Sequence, residues 1–323
     1  MLTSLVYRHN RLAGHNPPVE SLPQLRDEPG VMLWVDLSAP TEDEIKLVME
    51  QLFALHPLVI EDCTSDSPLP KLEAYDDYLH LVMHAVDYSK SDKFSTTELD
   101  LILGKHFLLT FHRQPLRPVQ AALDRSLRSP HQPVRGPDRF AHTILDAMVE
   151  AYQPALNELR AELEEIENDA LRHTDPQELF PRVLALRKEL AQLRQIVRPQ
   201  RAVAYELATG RTRFVRAVLV PYLRDLGDEL ARIETQANGW ADQLILSFRV
   251  YLNRSNFEAS EGIRVLTSLT ALSIPPLLIG GWFGMNFSRM PELERVWAYP
   301  LTLVVMLAVT GGMAALMRKK RWL

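Results

Sequence analysis

The chain has 323 residues, of which 36 are Lys or Arg and 41 are Asp or Glu, giving a net charge of -5. That length accommodates two or more domains, and the acid excess argues against nucleic acid as a partner, since no basic face offsets it. One cysteine, Cys63, excludes an intramolecular disulfide and a multi-thiolate metal cage within a subunit, and reads as a small buried residue.

The opening MLTSLVYRHN is too short and too polar for the apolar core of an export signal, so the soluble part is expected in the cytoplasm. Residues 1–137 read as an α/β domain. Val31 to Leu37 is a β-rich run, and Thr41 with Glu44 at capping-box spacing predicts a helix reaching about Leu55. Leu79 to Val86 and Leu99 to Leu103 read as strands, with Gly104-Lys105 turning into a hairpin over His106 to Phe111. A helix and then the domain boundary fall in the Pro- and Arg-rich tract from Pro115 to Pro137. The domain carries neither a phosphate-cradling GxxxxGK[ST] loop nor an HExxH zinc helix, and the chain reads as a non-enzyme. His80 and His84 share one face of a strand and suggest a metal pair; without a third ligand nearby, satisfied histidines are the better reading.

Residues 138–264 read as a helical hairpin followed by a long stalk helix. Leu156, Leu159, Leu163, Ile166 and Ala170 recur three and four apart, as do Leu179, Val183, Leu186, Leu190, Leu193 and Val197. Between them Asp175 suits an N-cap, Pro176 the first helical position and Glu178 the third, so an antiparallel hairpin with a heptad seam is expected. Its outer face, with Glu162, Glu164, Glu165 and Glu167, reads as solvated. After a break near Gly210 an apolar stripe starts at Phe214 and continues through Val218, Tyr222, Leu226, Leu230 and beyond. One helix from about 214 to about 284 is predicted, on the order of 100 Å long. Such a helix needs neighbours to bury its stripe, and copies surrounding an axis would enclose a tube.

Residues 265–323 complete the pattern with two uncharged segments, Val265 to Phe283 and Trp297 to Met317. Each has the roughly 20 residues of a membrane-spanning helix. Arg318-Lys319-Lys320-Arg321 places the C-terminus inside by the positive-inside rule, with the N-terminus on the same side. Only the loop from Phe287 to Val296, carrying Glu292 and Glu294, would face out.

Gly284-Met285-Asn286-Phe287, followed by Met290-Pro291-Glu292-Leu293, Tyr299-Pro300 and the basic tail, resembles the CorA-type metal-ion transporters. Weaker echoes are Pro70-Lys71-Leu72-Glu73, Asp146-Ala147-Met148-Val149 and Pro221-Tyr222-Leu223-Arg224-Asp225, so the resemblance covers essentially the whole chain. It implies an α+β membrane protein in the inner or plasma membrane: an α/β cytoplasmic domain, a helical funnel and two C-terminal transmembrane helices, assembled as a homopentamer with the first membrane helix lining the pore. The implied substrate is Mg2+, with Co2+ or Ni2+ also carried, and the lipid bilayer as surroundings. No cofactor is implied beyond Mg2+ itself as a regulatory ligand. A related branch carrying Zn2+ shares the architecture.

The residues suit that chemistry. Mg2+ gives up its waters reluctantly, and a ring of neutral amide and carbonyl oxygens can hydrogen-bond the hydrated ion without holding it. Asn286 would supply such oxygens at the mouth, Gly284 would let the backbone approach and turn, and Met285 would pack. Down the same helical face come Gly281, Leu277 or Leu278, Ile274, Thr270, Leu266 or Thr267, Ile263 and Ser260, with Leu266 and Ile274 as candidates for a constriction that gates by excluding water. Where magnesium relatives commonly place an asparagine and a threonine, this sequence has Ser260 and Leu277. Pro275-Pro276 is expected to kink the helix or loosen its packing. The resemblance also implies a Mg2+ between cytoplasmic domains of adjacent subunits; Asp225 matches one such position, with Asp87 and Asp228 as candidate partners. A membrane-anchored scaffold without transport is the rival reading from another class.

Overall fold

The computed structural model describes residues 1–65, 69–87, 95–172, 175–285, 295–320 and 322, with Asp87 and Ser95 by backbone only. They form two compact units, Met1–Leu246 and Ser247–Leu323.

The first unit is built on a seven-stranded sheet. Its strands are β1 (Leu2–Arg8), β2 (Arg11–His15), β3 (Val31–Ser38), β4 (Lys71–Ala74), β5 (Tyr78–Asp87), β6 (Ser95–Gly104) and β7 (Phe107–His112), in the order β2-β1-β3-β7-β6-β5-β4. Every neighbouring pair is antiparallel except β3 with β7. The β6–β7 hairpin requires glycine at its turn, because a Cβ on Gly104 would fall 2.1 Å from the Phe107 ring.

Helices cover both faces of the sheet, which is why β3 is buried along nearly its whole length and reads as a continuous apolar run. On one face lie α1 (Leu22–Asp27), α2 (Glu42–Ile45) and α3 (Pro57–Thr64), whose Leu22, Val59 and Cys63 pack with Leu33, Val35 and Leu37. The capping box forms as expected: Thr41 accepts from the Glu44 amide, and Glu44 accepts from the Thr41 amide at 2.9 Å. The helix does not reach Leu55. It changes to a π turn over Lys46–Leu52, and Ala54 takes a left-handed φ of 47°.

On the other face lie α4 (Arg117–Arg128) and α5 (Pro137–Glu150), with Phe140 of α5 packed against Tyr7 and Trp34 at ring separations of 5.1 and 5.0 Å. Beneath it Asp36 accepts from Thr110 and lies 3.1 Å from His112, a buried polar network. Then α6 (Tyr152–Leu171) and α7 (Pro176–Leu207) form the expected hairpin, with every predicted seam residue buried. Asp175 caps α7 by accepting from the Gln177 amide at 2.8 Å. The acidic face of α6 is not simply solvated: Arg182 of α7 pairs with Glu162, Glu165 and Asp169.

This hairpin also closes the sheet. β4 ends its ladder at Lys71–Val82, leaving the main chain of His84 on β5 beyond its reach. There the Tyr152 hydroxyl donates to the His84 carbonyl at 2.9 Å, the His84 amide donates to Gln200 Oε1, and Gln200 Nε2 donates to the Tyr152 hydroxyl at 2.6 Å. Two side chains of the hairpin thus bond the β5 main chain past the Lys71–Val82 pair.

The long helix starts later than its apolar stripe predicts. A 3-10 turn over Ala217–Leu219 precedes α8 (Val220–Phe283), and Val218 and Tyr222 are exposed rather than part of the stripe. Pro221 explains the delay, since proline suits the first turn of a helix. The break before it is held by Arg216, whose main-chain N–H, Nε and Nη2 all donate to the buried Asp138 carboxylate at the start of α5. α8 then continues without interruption through Pro275 and Pro276. The chain ends in α9 (Ala298–Lys319).

Candidate functional site

The Ser247–Leu323 unit contains the apolar end of α8 and all of α9, and both helices are long and apolar enough to cross a membrane. Within it α8 has two unlike faces. Ser268 and Pro275 are buried, Ala271, Leu272, Ile279 and Phe283 are half-buried, and the Ser268 hydroxyl donates to the Trp322 carbonyl at 3.0 Å. Higher up, Ile279 and Phe283 line an apolar cavity of about 350 Å³ with Tyr299, Leu303 and Met306 of α9. This three-and-four spacing is the stripe that α8 turns toward α9.

The predicted pore positions lie elsewhere. Ser260, Ile263, Leu266, Thr270, Ile274, Leu277 and Gly281 are all exposed, Leu277 at 74%. At 3.6 residues per turn Leu266, Thr270, Leu277 and Gly281 fall about 180° around the helix from Ser268 and Ile279. Thr270 bonds its hydroxyl back to the Leu266 carbonyl at 2.9 Å, so the oxygen lone pairs face outward from the backbone. At the end of α8 the Gly284 amide donates to the Gly280 carbonyl at 3.0 Å, and a Cβ on Gly284 would meet that carbonyl oxygen at 3.1 Å. Met285 is 49% exposed. Asn286, Glu292 and Glu294 lie outside the described residues.

Asp225 and Asp228 are exposed on the first turns of α8. Asp228 accepts from the Tyr205 hydroxyl at 2.8 Å, and that hydrogen bond raises the Tyr205 pKa. Gly227 makes room for this contact, because a Cβ there would lie 2.8 Å from the Tyr205 ring. Asp225 stands near His142 of α5, a buried imidazole whose ring meets Tyr222 edge-on at 5.6 Å. Burial holds the His142 pKa below its ordinary value, with the Asp146 and Asp225 carboxylates opposing. Asp87 is the last residue of β5, and its side chain lies outside the described residues.

His80 and His84 do not form a ligand pair. Among the described residues His80 instead joins Cys63 and Asp100, two residues that sequence spacing could not bring to it.

A family model described as CorA-like Mg2+ transporter protein matches residues 29–319. The chain belongs to this family. CorA-like proteins are membrane transporters of divalent cations, and the chain is 28% identical over 308 residues to the cobalt/magnesium transport protein CorA of Thermotoga maritima, covering 94% of this chain and 87% of that one. The fold is that of the complete CorA magnesium transporter structure from Methanocaldococcus jannaschii, with a TM-score of 0.82 at 19% identity over 99% of this chain and 98% of the other. The cytoplasmic domain of ZntB from Vibrio parahaemolyticus is also similar in fold, with a TM-score of 0.60 at 13% identity, covering 70% of this chain and 88% of that one. The CorA family is one of membrane ion transporters rather than enzymes, and the two apolar helices of this chain fit it.

Proposed function

We propose that the chain is one subunit of a homopentameric channel that admits Mg2+, with Co2+ and Ni2+ as further substrates, through a pore lined by α8. The observation that carries this reading is the exposed stripe from Ile263 to Gly281, set opposite the stripe that α8 presents to α9. A membrane helix packed on its partner along one side, with threonine, glycine and apolar side chains bare on the other, is suited to surround an axis with copies of itself. Asn286 supplies the ring of amide oxygens at the mouth, held by the tight turn at Gly284, and Leu266 and Ile274 narrow the pore below it. Asp225, with Asp87 and Asp228, holds Mg2+ between cytoplasmic domains and favours the closed state. Both termini face the cytoplasm, and the loop with Glu292 and Glu294 faces outward. The three-part division at residues 137 and 264 belongs to the same reading.

Uptake of Mg2+, Co2+ and Zn2+ into liposomes containing the purified protein tests it, with Asn286→Ala in parallel. Mg2+ and Co2+ flux that Asn286→Ala abolishes is expected. Zn2+ flux without Mg2+ flux would reassign the pore to the zinc branch. No flux of any ion from well-folded oligomers would leave the anchored scaffold.

A further inference from the structure

His80 stands on β5 with its side chain fully buried, and its Nε2 lies 2.8 Å from Asp100 Oδ1. Register explains the pairing: Asp100 on β6 faces Val82, one step along the same sheet face from His80. α3 packs over this face, and its Cys63 is 1% exposed. The Cys63 sulfur, an imidazole nitrogen of His80 and a carboxylate oxygen of Asp100 all lie within 4.8 Å of one another. Burial, and then the Asp100 carboxylate, push the Cys63 thiol well above its usual pKa, so at rest it stays protonated. Among the described residues the other imidazole nitrogen, His80 Nδ1, is buried without a hydrogen-bond partner. A fully buried ring nitrogen without a partner is uncommon and calls for an explanation.

Toward the surface a second group adjoins the first. Glu73 faces His80 directly across β4 and β5, Asp62 precedes Cys63, and oxygens of both lie within 4.8 Å of a His80 nitrogen. Lys71 Nζ bridges these two carboxylates at 2.6 and 3.0 Å, already occupying a cation's place between them. All of these side chains belong to the Met1–Leu246 unit.

We propose that Cys63, His80 and Asp100 form a binding site for a borderline divalent cation of the Zn2+ or Co2+ kind. One sulfur, one nitrogen and one oxygen suit such ions and disfavour Mg2+, which prefers oxygen alone. Binding expels the thiol proton to solvent, and the resulting thiolate and the Asp100 carboxylate together balance the two charges of the ion. The fourth position is open to water or to Asp62 or Glu73 once Lys71 swings away. The site is independent of the pore assignment, since it needs no transport to be filled.

The test uses the full-length protein in detergent, stripped of metal by chelation and titrated with Co2+. Cys63 is the sole thiol, so a thiolate-to-cobalt charge-transfer band has one source. The expected result is that band, with the intense visible bands of four-coordinate Co2+, saturating at one ion per chain. Zn2+ should bleach it and a large excess of Mg2+ should not. Cys63→Ser should abolish the charge-transfer band, and Asp100→Asn should weaken Co2+ binding about tenfold or more. In parallel, Co2+ should slow the reaction of wild-type Cys63 with a disulfide reagent, a readout that needs no variant to fold. Folded wild-type protein without the charge-transfer band, or with Cys63 reactivity unchanged by Co2+, would overturn the proposal, whatever the liposome assay reports.

Discussion

The Tyr152 hydroxyl is a single atom that supports the open end of the sheet, and Tyr152→Phe removes it alone. The phenol is fully buried, donates to the His84 carbonyl and accepts from Gln200, itself 1% exposed. Deleting the hydroxyl takes one hydrogen bond from the His84 carbonyl and one from the Gln200 side-chain amide, in a region with little access to water. Each buried bond lost costs about 1–1.5 kcal/mol, so a net loss of about 2–3 kcal/mol follows. Gln200→Leu loses the same Gln200–Tyr152 bond plus the long one from the His84 amide. The bond shared by both singles is counted twice in their sum, so the double variant should fall short of additivity by about 1 kcal/mol. Amide exchange of the full-length protein in detergent, read by mass spectrometry over peptides from β5, checks this. Opening easier by about 2 kcal/mol speeds exchange roughly 30-fold. Unchanged exchange in Tyr152→Phe, or fully additive losses, would refute the view that these side chains hold β5 at this point.

Two further perturbations follow from buried charge. Asp138 is 4% exposed while the Arg216 side chain is 40% exposed, so removing the arginine leaves the worse orphan. Asp138→Asn should cost about 2 kcal/mol and Arg216→Met about 3 kcal/mol or more, read as a larger loss of thermal stability in the second; the reverse order would show that water reaches the carboxylate. His142 titrates below its ordinary 6.5 in the fold, chiefly through burial. The unfolded chain therefore binds the proton first, so stability is complete above the ordinary value and falls as the pH drops from there toward the folded pKa. The thermal midpoint of the wild type should fall further between pH 7.5 and pH 5.5 than that of His142→Gln, and equal falls would contradict the assignment.

Much of this chain is readable because its signals are local. The Thr41–Glu44 box, the Asp175-Pro176 start of α7 and the leucine seam each act within a few residues, and the apolar runs of the membrane helices are set by the solvent they face. The start of α8 was misleading because Phe214 and Val218 keep helical spacing, while Pro221 already marked the true first turn. β2 and β4 escape notice because they are short edge strands whose half-exposed side chains show little hydrophobic bias. The partners of His80 lay beyond sequence reasoning for a different reason. Cys63 comes from a helix laid across the sheet and Asp100 from the neighbouring strand, so only register and packing bring them within reach.

Pro275 and Pro276 have a mechanical consequence. Lacking N–H groups, they leave the carbonyls of Ala271 and Leu272 without the amide donors an unbroken ladder would supply, two successive rungs missing inside α8. Bending stiffness in a helix draws on those rungs, so this level resists bending less than an unbroken turn does. A small applied torque there would swing Leu277 and Gly281 against Thr270 and Leu266, leaving the turns on either side unbent.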